Sequence, residues 1–254
     1  MKKITLLLLV AGLFPSCVLA WNTPGEDFGG ELKIEGVVTS TRNPWVWKLA
    51  EGYKNLDAKQ TPVTRGGETE IPVPLPAMSV VLGKTILTTP AGREGLSPRV
   101  NYGRGIDGFS LVWIGPGIAE VTLPVTDGEN PRAGHFIFRM RAAGVLRHVQ
   151  HGQEAYASVY DDLKTNGLPG KEQIMKTEQT AGILQEMFGG EGPTWLQTMT
   201  VSDTTGLSRF SDASLRQVEG VYGAQIVAGS GELHLSGEIP ERWQVSLPVC
   251  IEHQ

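Results

Sequence analysis

Across 254 residues there are 22 basic and 27 acidic side chains, a net charge of −5, so the chain has no basic surplus to neutralise phosphates and nucleic acid is not expected as a partner. Thirty-two glycines and sixteen prolines break it too often for a helical bundle and favour many short strands joined by turns.

The first twenty residues have the pattern of a secretory signal peptide. Lys2 and Lys3 open it, an apolar run extends from Ile4 to Phe14, and Val18-Leu19-Ala20 supplies a cleavage site. The run is shorter than the roughly 20 apolar residues that a membrane-spanning helix needs, and a buried N-terminal helix would leave the lysines and the cleavage site without purpose. Cleavage after Ala20 leaves 234 residues starting at Trp21, a size that suits one large β domain, with a net charge of −7 once the two lysines are gone. Cys17 is removed with the signal, and Phe14-Pro15-Ser16 before it is a poor match to a lipidation motif. Cys250 then stands alone, so no internal disulfide forms. Its apolar strand context favours a buried thiol.

From Phe28 the residues Phe28, Gly30, Leu32, Ile34, Gly36 and Val38 alternate with mostly charged ones, the period of a half-buried strand. Trp45 and Trp47 repeat the alternation around Val46. Gly66 to Pro76 carries a glycine pair and three alternating prolines and is expected to be an extended loop or edge segment. Strands are expected over Met78 to Leu87, Phe109 to Ile114, Ile118 to Val125, His135 to Ala142 and Ala155 to Tyr160, with a tight hairpin at Ile114-Gly115-Pro116-Gly117-Ile118. Thr177 to Phe188 breaks the pattern: Ile183, Leu184, Met187 and Phe188 have helical spacing, and Gly189-Gly190 can cap the end. Strand-like runs resume at Trp195 to Val201, Gly223 to Ala228 and Gly231 to Gly237. The chain closes on Trp243, Val245, Leu247, Val249 and Ile251 in strict alternation, with Pro248 suited to an edge.

Little in this pattern carries chemistry. His148 and His151 have a spacing that could reach one metal, yet no cysteine or paired carboxylate accompanies them, and a surface strand or turn pair is the better reading. Gly83-Lys84-Thr85 lacks the first glycine of a phosphate loop, since Met78 takes that place. Gly229-Ser230-Gly231 lacks the frame of a nucleophile elbow. Asp161 and Asp162 are neighbours that would point to opposite faces of a strand, and they read as a solvated turn. No catalytic group, metal or cofactor is expected.

Read together, Trp21, Asp27-Phe28-x-Gly30-x-Leu32-x-Ile34-x-Gly36-x-Val38-Thr39 and Trp45-x-Trp47-Lys48 resemble the FaeG-type fimbrial subunits of the enterobacterial chaperone/usher pathway. Leu82-Gly83-Lys84-Thr85 and the segment from Ala181 to Phe188 are weaker echoes. The chain looks closer to a minor subunit of such an operon than to the abundant major one. The resemblance implies an all-β fold: an incomplete immunoglobulin-like sandwich with long insertions and a short helix, completed by donor-strand exchange. It divides the chain into a signal peptide (1–20), a donor-strand extension (21–39) and a sandwich domain (40–254).

Further expectations follow from the resemblance. A periplasmic chaperone lends the missing strand, an outer-membrane usher exchanges it for the extension of a neighbouring fimbrial subunit, and the product is a fimbrium on the cell surface. Phe28, Gly30, Leu32, Ile34, Gly36 and Val38 become the donor strand. Trp243, Val245, Leu247, Val249 and Ile251 become the groove edge that the chaperone recognises, although the ending Ile251-Glu252-His253-Gln254 departs from the commoner terminus near a tyrosine. From the residues alone, 28–38 read equally as the first strand of the protein's own sheet. As a donor the segment would reach about 33 to 36 Å, and burying its four large apolar side chains is worth at most roughly 6 to 12 kcal/mol. The alternative function is a receptor-binding adhesin subunit that takes a host glycan on loops of the sandwich, with Trp195 or Tyr102 as stacking surfaces if they are not core.

Overall fold

The computed structural model describes residues 43–52, 56, the backbone of 63–65, 68–127, 133–237 and 239–254. The expected signal peptide, its cleavage site and the segment from Phe28 to Val38 lie outside the described residues. All the described residues belong to one compact unit, Thr41–Gln254.

The first strands are β1 (Trp45–Leu49), β2 (Val63–Arg65), β3 (Glu68–Val73) and β4 (Met78–Thr85), followed by β5 (Thr89–Ala91), β6 (Pro98–Tyr102), β7 (Ser110–Gly115) and β8 (Ile118–Val125). The long β9 (Gly134–Gln150) turns at His151-Gly152 into β10 (Gln153–Tyr160). After helix α1 (Thr177–Phe188) come β11 (Asp203–Gly206), β12 (Arg216–Ile226), β13 (Gly231–Ser236) and β14 (Val249–His253).

β9 organises the sheet. Its first half lies between β8 and β13, and its second half between β10 and β12. Two arms therefore leave a single strand: β7-β8-β9-β13-β3-β2 and β11-β10-β9-β12-β4-β1. A separate ladder joins β14 to β6. Phe136, Phe138 and Leu233 from one arm, Leu146, Tyr222 and Ala224 from the other, and Val100 and Tyr102 from β6 all enter one core. The result is an all-β sandwich that does not close into a barrel.

The second arm is covered on its other face as well. Ala143, Val145 and Val221 turn away from the main core toward Leu184, Met187 and Phe188 of α1, whose spacing lines one side of the helix. Each of the larger of these side chains, from valine upward, contributes about 1.5 to 3 kcal/mol when removed from water. The helix ends where the sequence suggests, with Gly189 at φ 54° and its N–H donating to the Gln185 carbonyl at 3.0 Å.

Several expected elements change. Trp195 to Val201 is not a strand: Thr194–Gln197 forms a 3-10 turn, and Leu196 and Met199, three residues apart, both enter the second core. Gly66 to Pro76 contains β3, a strand paired on both sides over Glu68 to Glu70. Pro72 lies past the end of β2, where the missing N–H is tolerated. β9 continues well beyond Ala142, because residues buried on both faces show no alternation. β2, β5, β6 and β11 are additional. The closing strand shrinks from Trp243–Ile251 to Val249–His253.

Candidate functional site

The C-terminal strand forms an edge whose two sides differ. Gln254 N–H donates to the Ser97 carbonyl at 3.1 Å, Ser97 N–H returns a bond to the Gln254 carbonyl at 3.2 Å, and Gly103 N–H donates to the Pro248 carbonyl at 2.9 Å. In an antiparallel ladder the backbone groups of successive residues point to alternate sides. Residues 248, 250, 252 and 254 therefore face β6. Val249, Ile251 and His253 turn their N–H and C=O groups the other way, where no strand pairs with them among the described residues.

The alternation expected of the closing segment persists in the packing. Trp243, Val245, Leu247, Val249 and Ile251 are all half-buried against the main core. Trp243 lies with its ring 5.2 Å from Phe136. Only the last two belong to a ladder, however. The segment before them crosses from β8, where Gln244 exchanges two backbone bonds with Thr126 at 2.8 and 3.0 Å, to the end of β6.

β1 presents a comparable edge. Ala50 N–H donates to the Val80 carbonyl and Ile86 N–H to the Pro44 carbonyl, so the even residues of β1 face β4 and the odd ones face outward. The Asn43 side chain takes the outward Trp45 N–H at 3.0 Å. The Trp45 and Trp47 rings stack at 5.3 Å, and both approach the His253 ring, at 6.5 and 6.1 Å. Trp45 Nε1 donates to the Leu96 carbonyl at 2.9 Å. Gly83 stands opposite Trp47 and makes room for its ring. Burial holds the His253 imidazole below its ordinary pKa. Past His253 lies a cleft of about 530 Å³ lined by Glu94, Ser97, Ser208, Ser211 and Gln254 among others.

Beneath this edge, Tyr102 and Tyr222 share a hydrogen bond of 2.8 Å between hydroxyls, and Tyr222 donates on to the Gly167 carbonyl at 2.8 Å. Full burial pushes both phenols well above their usual range, so they stay neutral. Tyr102 thus belongs to the core and offers no face to a sugar. Trp195 packs against the second core with its ring 5.8 Å from Tyr156.

The Asp161 carboxylate accepts the N–H groups of Leu163 and Thr165 at 2.9 and 2.8 Å, and Asp162 accepts that of Ser208 at 2.9 Å. His148 is buried in β9, contrary to the surface reading, and His151 occupies the following turn at φ 52°. Cys250 is half-buried, contrary to the expectation of full burial, with Sγ 3.8 Å from Arg104. Arg104 also pairs with Glu252 at 2.7 Å. Sequence reasoning did not identify β6 as the neighbour of the closing strand. The alternate burial of Pro98, Val100 and Tyr102 was a signal for it, obscured by the leading proline.

The family described as "Fimbrial, major and minor subunit" matches residues 1–254. The chain is 69% identical over 254 residues to the K88 minor fimbrial subunit FaeI of Escherichia coli, with the whole of both chains covered.

Proposed function

The chain belongs to the family of major and minor fimbrial subunits, and on that premise we propose that its open C-terminal edge receives a strand from another polypeptide. It is a minor structural subunit of an adhesive surface fimbrium and acts through contact with other fimbrial subunits. What supports the strand-exchange reading is the edge of β14: Val249 and Ile251 pack their side chains on the core while their backbone groups face a side with no paired strand among the described residues. Such an edge is a template for β-augmentation, in which backbone bonds supply affinity and alternate side chains supply pockets.

The incoming strand runs beside β14, and the outward residues of β1 are its second line of contact. A periplasmic chaperone fills the site first, and an outer-membrane usher then passes the subunit to its neighbour. The chain's own segment bearing Phe28, Leu32, Ile34 and Val38, with Gly30 and Gly36 between them, is donated onward, and residues 21–39 form that extension after signal cleavage. The reading assigns the protein no catalytic role. Nothing in the packing of Tyr102 or Trp195 favours a glycan-binding subunit.

A chain lacking residues 21–39 tests this by thermal melting with and without a synthetic Glu26–Thr39 peptide. A large upward shift in Tm with peptide is expected, because a ligand that binds only the folded state stabilises it by mass action. A stable truncated chain that ignores the peptide would count against strand exchange and in favour of a self-complete domain.

A further inference from the structure

The outer face of the first arm brings together residues widely separated in sequence. His234 on β13 stands directly opposite His135 on β9 and, on its other side, opposite Glu70 on β3. Leu233 and Leu235 flank His234 and point into the core, as Phe136 does beside His135, so the two histidines point away from it. Their rings lie 4.7 Å apart and nearly parallel, 13° between planes. One ligand atom each from Glu68, His135 and His234 lies within 4.8 Å of the others.

Ordinary packing explains this cluster poorly. The His234 side chain is only 13% exposed, and its Nε2 is buried with no hydrogen bond. The Glu232 carboxylate stands 3.5 Å away, in ion-pair range but too far for a good bond. A buried polar atom left without a partner is costly. Two stacked imidazoles gain little from one another, and they repel when both are protonated.

We infer that Glu68, His135 and His234 form a binding site for a divalent transition cation of the zinc class. Imidazole nitrogens suit zinc, copper and nickel, whereas magnesium and calcium take oxygen ligands. Two histidines and one glutamate make a three-ligand set that leaves a fourth tetrahedral position to water or to a group from outside. Zinc bonds of about 2.0 to 2.2 Å place tetrahedral ligand atoms roughly 3.3 to 3.5 Å apart. The three side chains must therefore close by about 1.5 Å at most, which side-chain torsions on a fixed backbone supply. Glu68 is exposed and able to swing inward. The Glu70 and Glu232 carboxylates add negative charge beside the cation. Once bound, the ion ties β3 and β13 to β9, pinning an arm whose outermost strand, β2, is only three residues long. This inference does not depend on strand exchange.

The test uses the untagged mature chain, stripped with chelator and equilibrated by dialysis against zinc chloride. About one zinc per chain is expected to remain bound, with cobalt giving the visible absorption of a tetrahedral site. His135→Gln and His234→Gln should each remove the binding, and Glu68→Gln should weaken it by about tenfold or more. His151→Gln should leave it intact. Zinc that does not bind, or that binds equally to the His135→Gln/His234→Gln double variant, overturns the assignment. Should the variants fail to fold, the ring signals of these two histidines in the NMR spectrum of the unaltered chain decide the matter. Both should shift on addition of zinc, and signals that stay in place overturn it.

Discussion

At position 83 an ideal Cβ would stand 2.2 Å from the Trp47 ring, closer than any real contact, so the tryptophan can lie across its cross-strand partner only because no side chain is there. Gly83→Ala should destabilise the chain by about 1 to 3 kcal/mol, the usual cost of overpacking. Urea unfolding measures this, and a Trp47→Ala background should remove most of the penalty. His253 supplies a second test at the same edge. Burial lowers its folded pKa, as it does for His135 and His148, so the unfolded chain takes up protons that the folded chain refuses. Stability should therefore fall as pH drops below about 6.5, the unfolded value. His253→Gln should flatten the slope between about pH 6.5 and 5, a window in which unfolded carboxylates are still largely ionised. An unchanged slope would mean that His253 accepts its proton without cost.

Among the elements, β14 permits a test based on the parity of its backbone. Ile251→Pro deletes an outward N–H and spares the ladder to β6, so the subunit should fold and yet capture the donor peptide more weakly than Ile251→Ala does. Equal affinities in a titration of the two variants would place the incoming strand elsewhere. How readily each element is recognised in sequence depends on whether it has one wet face. β8 matches its expected bounds because Ala119, Val121, Leu123 and Val125 are buried while the residues between them are not. α1 matches because only one side of it enters a core. The second half of β9, buried by the main core on one face and by α1 on the other, loses its period and reads as no strand at all. Trp195 to Val201 misleads in the opposite sense, since Leu196 and Met199 follow a helical step into the second core. The odd residues of the closing segment were evident from alternation alone. Their neighbour β6 and the pairing of His135 with His234 were not, because both depend on strands brought together from distant parts of the chain.

On the scale of the whole molecule, an otherwise two-layered sandwich carries an open edge at β14 beside the outward side of β1, and amide hydrogen exchange of the chain lacking residues 21–39 tests that openness most directly. The amides of Cys250 and Glu252, which face β6, should be protected in every state. Those of Val249, Ile251 and His253 should exchange quickly in the truncated chain and become protected when the Glu26–Thr39 peptide is added. Protection of all five before any peptide is present, or outward amides that the peptide leaves unprotected, would contradict an edge built to receive a strand.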